Sequence, residues 1–367
     1  MYFTNFNLQE IIVYVESLGL KKTEGILIMT TEHTPFDFDE LVMEFGKKKW
    51  EFFGGIFPAI LNGKHKFERG VVIKKIAIDA APLVIEGLNE EKFKLSEIEQ
   101  YSPKAKSVLV LIDGLTANIS SFLSELFNTL GDGLNYIGGG CGSLTLQQRP
   151  NIFTNKGFFQ DAALLVFLPQ PISLGVRHGW KTIQGPFVAS SAHKNVVKEL
   201  NWQSAFEIYQ SVIESDSQQT IGVDNFFEIA KAYPLGINKE NKEKIVRDPI
   251  ATNEKGELFC VGEVPENAVL SILKGKPQNL IAAAKQATKD AIESMSGTST
   301  DVLVIECISR SLYLEKDFEH ELDEINENVK KYNPDLQIQG ALTLGEIASG
   351  RGYIEFYNKT VVVGLIH

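Results

Sequence analysis

A single pattern recurs three times along the 367 residues: an apolar strand, an amphipathic helix, and a second strand that runs into a glycine turn. The copies open at Gly25-Ile-Leu-Ile-Met29, Ser107-Val-Leu-Val-Leu-Ile112 and Asp301-Val-Leu-Val-Ile-Glu306. Their closing strands read Trp50-Glu-Phe-Phe-Gly54, Leu134-Asn-Tyr-Ile-Gly138 and Leu336-Gln-Ile-Gln-Gly340, with a bulky apolar residue four positions before the first glycine each time. A strand, helix, strand unit forces parallel pairing, because parallel strands need a long crossover between them. Both strands then deliver the loops that follow them to one edge of the sheet, where α/β proteins keep their ligands.

The crossovers carry one apolar stripe apiece at helical spacing: Phe38, Leu41, Val42 and Phe45; Ile119, Phe122, Leu123 and Leu126; Phe318, Leu322, Ile325 and Val329. Beyond each glycine turn come further strand candidates (Val71 to Ile73 and Ile76 to Ile78, then Ala162 to Leu168, then Val361 to Ile366), and the spacers between them are rich in turn residues and free of a helical stripe. That spacing predicts hairpins and mixed sheets. The expected fold class is α+β, two related lobes of mixed sheets covered by helices, layered helix, sheet, sheet, helix. A long span of different texture separates the third copy from the first two, and it holds an Ala/Lys-rich helix near Leu280 to Ser294. A strand entering a turn at Gly185 to Asn195 and a helix from Trp202 to Ile213 set the expected boundary near residue 198, giving domains 1–197 and 198–367.

Composition excludes several function classes. With 36 Lys plus Arg against 47 Asp plus Glu the formal charge is -11, a field that repels nucleic acid from most of the surface. Cys141, Cys260 and Cys307 lie far apart with no CxxC spacing, which fits a reduced, cytoplasmic protein. The N-terminus has no basic cluster followed by an apolar signal core, and no apolar run approaches the ~20 residues needed to cross a bilayer, so no membrane partner is expected.

Candidate chemistry concentrates at the glycine turns. Gly138-Gly139-Gly140-Cys141-Gly142 follows a strand, where glycines permit positive φ and close approach of amides to a ligand, as in an anion nest. It is no dinucleotide fingerprint, since the next element reads as extended. The competing reading is that these glycines simply turn the chain away from a buried strand. Cys141 raises the question of a nucleophile, but His178 and His193, the nearest histidines in sequence, sit in no Cys/His signature, so a small buried thiol is the ordinary reading. Cys307-Ile-Ser-Arg310 follows the third unit's first strand, and the turn from Gly340 to Glu346 is expected at the same rim. Arg310 and Glu346 there suit either the carboxylate and ammonium of an amino acid or an internal salt bridge.

Other clusters read as structural. Glu32-His33-Thr-Pro-Phe-Asp37-Phe-Asp39 is the sole local group of metal-ligand types, and Asp37 before a helical stripe is first an N-cap. Arg177-His178-Gly179-Trp180 reads as a strand end with a turn, and Lys239 to Lys244 as a solvated surface segment. No metal or cofactor is expected.

Together these pieces resemble the FIST family, named for F-box and intracellular signal transduction proteins. The N-terminal resemblance rests on the strand at Gly25, on Gly54-Gly55, on Asp113 and on the Gly138 to Gly142 cluster. The C-terminal one rests on Tyr233-Pro-Leu-Gly236, Ile245-Val-Arg247, Cys307-Ile-Ser-Arg310, Gly345-Glu346 and Asn358-Lys-Thr360. The first glycine turn, Gly54-Gly-Ile-Phe-Pro58, departs from the small polar residues expected there. The resemblance implies a two-part sensory module that reversibly binds a small polar ligand, amino acids among the candidates, and signals to a separate partner protein. The expected site is a cleft between the lobes, with Asp113, Cys141 and the amides of Gly138, Gly139 and Gly140 on one side and Cys307, Arg310, Glu346 and Asn358 on the other. The runner-up is a hydrolase or transferase built on Cys141. A third reading is an interaction scaffold without a small ligand.

Overall fold

The computed structural model describes residues 1–35, 37–90, 95, 98, 104–239, 243–350 and 352–367. Phe36 of the acidic cluster and residues 240–242 of the charged run lie outside the described residues.

Each repeat folds as its periodicity predicts. Glu24–Thr31 pairs parallel with Phe52–Phe57, Ser107–Asp113 with Asn135–Cys141, and Asp301–Cys307 with Ile338–Thr343. The crossovers are the helices Phe38–Lys48, Ile119–Leu130 and Phe318–Tyr332, the last two burying their apolar stripes and the first burying Leu41 and Phe45 with Phe38 and Val42 half-buried. Asp37 caps the first of them by accepting from Glu40 N at 2.9 Å. On the far side of each opening strand lies an antiparallel neighbour, Val71–Ala77, Ala162–Leu168 or Val361–Ile366. The sheets are therefore mixed, and the fold is α+β. These returning strands reach back across their own unit instead of forming hairpins with the segment just before them.

The hairpins are used elsewhere. Ala59–Asn62 and His65–Phe67 add to Ile338–Thr343 of the third unit. Ile152–Thr154 and Gly157–Phe159 add to Phe52–Phe57 of the first, and Glu346–Gly350 with Tyr353–Tyr357 adds to Asn135–Cys141 of the second. Each closing strand would otherwise present an open edge, and a neighbour's hairpin covers it. The exchange is cyclic, so three six-stranded sheets interlock.

Strand alternation sorts the core into layers. Leu27, Met29, Leu109, Leu111, Leu303 and Ile305 point to one central core where the three sheets face one another. Their sequence neighbours Ile26, Ile28, Val108, Val110, Val302 and Val304 point outward under the helices. Helix on sheet on sheet is thus repeated around a three-sheet centre.

Residues 181–274 build the second lobe. Lys181–Val188, Val269–Lys274, Leu235–Ile237, Ile245–Thr252, Leu258–Val261, Val196–Leu200 and Ser191–His193 follow one another in an antiparallel sheet, with Gln203–Ser204 beside Val196–Leu200. Helices Ala205–Ser217 and Phe226–Ala230 belong to this lobe. Helix Pro277–Glu293 then carries the chain back to the first lobe, packing on Ile172–Arg177 and Phe318–Tyr332. The internal likeness thus lies among three repeats that share one lobe.

Candidate functional site

The glycines come first, because their placement corrects the expectation drawn from them. Gly138, Gly139, Gly140 and Cys141 are not in a turn; they lie within the buried strand Asn135–Cys141. Their backbones are already engaged: Gly140 N donates to Gly345 O at 2.8 Å and Gly142 N to Ile56 O at 2.9 Å. A Cβ on Gly138 would fall 1.7 Å from Val110 O, and one on Gly140 2.5 Å from Leu344 O. The glycines admit neighbouring backbone, not a ligand.

Asp113 ends the opening strand of the same unit and is fully buried. Its carboxylate accepts from Leu115 N (3.1 Å), Gln148 Nε2 (2.9 Å), Asn151 Nδ2 (3.2 Å) and Asp161 N (2.7 Å). Four donors fill the acceptor sites of a carboxylate, so Asp113 ties three loops together and faces no ligand. Cys141 is buried, and burial, helped by the Asp113 charge, pushes its thiol well above the ordinary value. A thiolate nucleophile needs the opposite shift.

Arg310 and Glu346 do reach one rim, as the parallel pairing of their strands requires, and each senses the other's charge. Arg310 is nevertheless unavailable to a ligand. Its Nε and one terminal nitrogen hold Glu321 bidentately at 2.8 and 2.7 Å. The remaining N–H groups donate to the carbonyls of Leu280 (2.7 Å), His178 and Lys359 (3.3 Å). A guanidinium has five N–H donors, and all five are used inside the protein. The salt-bridge reading of Arg310 is the one realised, with Glu321 as partner.

Glu306 Oε1 also lies 3.1 Å from Arg310 Nε, yet burial, with Glu321 beside it, raises its carboxyl far above the usual range. Burial thus favours the neutral form of Glu306, while Glu321, held bidentately by Arg310, is pulled the other way. Glu346 is likewise raised by burial, while accepting from Thr360 N at 3.1 Å and the Thr343 hydroxyl at 3.4 Å. A carboxyl raised in the folded state keeps a proton that the unfolded chain releases above about pH 4.3. Stability then falls as pH rises from that value toward the folded pKa, at about 1.4 kcal/mol per pH unit for each such proton. Glu306→Gln, which keeps the shape without the titrating proton, is expected to flatten this decline above the ordinary carboxyl range in urea titrations. A slope equal to that of the unmutated chain would mean that Glu306 is ionised.

What lies open is a cleft of about 600 Å³ between the two lobes. Leu115, Ile119, Leu344 and Phe356 of the first lobe and Phe227 and Ile250 of the second form its apolar walls. The volume is that of a small-molecule site. Among the predicted residues Cys307 lines it, with its Sγ 3.2 Å from Ser309 Oγ. Burial, with the Glu346 charge, pushes the Cys307 thiol up to about 12. Asn358 stands behind the cleft residue Gly262, and both ends of its buried amide lack a hydrogen-bond partner. Gly138, Gly139, Gly140, Cys141, Asp113, Arg310 and Glu346 do not line the cleft.

Sequence reasoning missed Asp248, which lines the cleft while 1% exposed. Its Oδ2 faces Lys359 Nζ at 3.1 Å, an ion pair between side chains that are themselves buried. Lys359 crosses from one lobe to the other, donating to Lys231 O at 3.1 Å and lying 5.2 Å from the Trp180 ring. Arg247 makes a second crossing, from Glu263 O (2.7 Å) to Phe356 O (3.0 Å). One sequence signal could have found this centre: Arg247-Asp248-Pro249 puts two charges and a proline inside an otherwise apolar strand, a composition that marks a bulge or a close approach. The strand does shift register between Pro249 and Ala251.

In a smaller hollow of about 490 Å³ at Arg177, His178 and Glu243, Arg177 is paired with Glu243 and Asp290. Burial lowers His178 to about 4, so its ring is neutral, and Gly179 takes φ 79° as the expected turn after strand Ile172–Arg177. Among the described residues no group of three or more His, Cys, Asp or Glu side chains is placed to hold a metal ion. Nor is any described helix long and apolar enough to cross a membrane.

A family model for the FIST N domain matches residues 26–203, and one for the FIST C domain matches residues 205–349. No curated protein matches the chain. The two domain matches adjoin, cover the repeats and the second lobe alike, and take in both walls of the cleft, so the chain belongs to the FIST family of sensory, non-enzymatic signal-transduction domains.

Proposed function

We propose that this protein reversibly binds a small ligand in the cleft between its lobes and passes occupancy to a separate signalling protein in the cytoplasm. The observation that carries the reading is the cleft itself: about 600 Å³, apolar-walled by both lobes, with a buried carboxylate, Asp248, in its lining. The Lys359–Asp248 pair that joins the lobes uses a residue of that lining, so a ligand there acts on the junction directly. An amino acid remains in the test panel, although Arg310, the residue expected to hold its carboxylate, is engaged by Glu321.

Exposed Leu144 (48%), Leu146 (56%) and Leu312 (39%) line the mouth of the cleft. Apolar side chains gathered at one rim favour a protein partner seated there, in line with an output partner that reads the mouth.

Thermal-shift screening of amino acids, amines and alcohols tests the proposal. Ala117→Trp places bulk at an exposed position of the lining and serves as the control. A ligand at a hundredfold excess over its Kd stabilises by about 2.7 kcal/mol, a shift of several degrees that the tryptophan variant should lose. Equal shifts in both proteins would place binding elsewhere, and no shift with any compound would leave the scaffold reading.

A further inference from the structure

Resting on the cleft as the binding site, we propose that its ligand is an amine: a primary ammonium received by Asp248, joined to a short apolar chain, with no carboxylate.

Asp248 supplies the recognition. It sits in the middle of strand Ile245–Thr252, where Pro249 removes a ladder donor and the register shifts. A carboxylate offers about four acceptor sites on two oxygens. Here Oδ2 faces Lys359 at 3.1 Å and the Ser309 hydroxyl acts on the same carboxyl, yet neither oxygen, both nearly inaccessible to bulk water, completes a well-aligned hydrogen bond. Leaving such an acceptor unmet is costly, and a donor brought by the ligand removes that cost. Burial pushes the Asp248 carboxyl up against the opposing pull of Lys359 and Ser309, which is the direction a second cation at the site would reverse.

The rest of the lining selects the sign and the shape. Its charged side chains are Asp248 and Glu263 against Lys194 alone, a balance that favours a cation. Cations that could hold an anion are turned away: Arg310 is saturated by Glu321 and by carbonyls, and Arg247 is committed to Glu355 and to the carbonyls of Glu263, Val246 and Phe356. Ile119, Leu344 and Phe356 face Ile250 and Phe227 across the cleft, so the body of the ligand meets hydrocarbon. The carboxylate of an amino acid would be set against those walls with Lys194 as the one cationic side chain among the lining residues, which disfavours it relative to the amine lacking that group.

The experiment uses the full chain and four probes that share one apolar body: hexylamine, 1-hexanol, hexanoate and norleucine. Calorimetric titration is expected to give hexylamine the lowest Kd, by at least about tenfold over hexanol, as a charge-assisted hydrogen bond to a buried carboxylate requires. Asp248→Asn should bring hexylamine to the level of hexanol without weakening hexanol. Because that substitution leaves the buried Lys359 without its carboxylate, Asp248→Asn combined with Lys359→Met is measured alongside it. Hexanol, hexanoate or norleucine binding the unmutated chain as tightly as hexylamine overturns the amine assignment and leaves the cleft standing as a site. If no probe binds, or if Ala117→Trp binds hexylamine as well as the unmutated chain does, the cleft reading fails and the amine assignment with it.

Discussion

Gly138→Ala is expected to lower stability by about 4 kcal/mol or more, enough to leave much of the chain unfolded. A Cβ at this position would stand 1.7 Å from Val110 O, which belongs to the parallel partner strand in direct register. The obstacle is main chain, so no side-chain rotation relieves it; only separation of the two strands does, and they lie at the centre of their sheet. The same collision recurs at the matching glycine of each repeat: Gly54 against Ile28 O and Gly340 against Val304 O, both at 1.8 Å. Comparable losses are therefore expected for Gly54→Ala and Gly340→Ala. Gly133→Ala, with nothing within 4 Å of the added carbon, should stay within about 0.5 kcal/mol of the unmutated chain. Urea denaturation midpoints decide the matter: a Gly138→Ala protein as stable as Gly133→Ala would remove packing as the reason for the glycine and reopen a ligand role for it.

Arg310→Met should destabilise by about 3–5 kcal/mol, since it leaves the Glu321 carboxylate buried with no counter-charge and frees the carbonyls of Leu280 and His178. The double variant Arg310→Met/Glu321→Leu is expected to recover a large part of that loss, because an apolar pair has no buried charge to satisfy. The pair also has a pH signature. Burial works to raise Glu321, but Arg310 beside it and the proton of Glu306 overcome this, and its carboxyl lies below the ordinary value. A depressed folded pKa contributes stability above the unfolded value of about 4.3 and loses it as pH falls through the folded pKa. The acid limb of the stability curve should accordingly become shallower in the double variant. If Arg310→Met instead costs less than about 1 kcal/mol, the guanidinium is not the internal clamp described above, and its role as a ligand-binding group returns.

Much of the architecture was readable in advance, because the signals that specify it are local. A stripe at i, i+3, i+4 and i+7 predicts a crossover helix such as Ile119–Leu130, and a crossover helix requires the parallel pair Ser107–Asp113 with Asn135–Cys141. The site was read less well, and particular residues show why. Gly138 signals freedom from a side chain, but a sequence does not say whether the freed space receives a ligand or the Val110 carbonyl. Arg310 signals a carboxylate partner, but Glu321, eleven residues further along and on the next α-helix, competes with any bound molecule and is better placed. Asp248 was passed over because its strand carried no repeat and no glycine motif, whereas its position in the cleft depends on how the second lobe meets the first.

The order of residues by itself determined the three strand, helix, strand units, their parallel pairing, the mixed sheets and the apolar alternation that gives each sheet an inner and an outer face, because periodicity and turn chemistry act over a few residues at a time. Only the tertiary structure decided that the hairpins exchange among the units, that Arg310 is closed off by Glu321, and that Asp248 and Lys359 meet across the lobes beneath an open cleft. Edges and buried charges take whichever partner is brought nearest in space, and that choice is made by the packing of elements far apart in the chain.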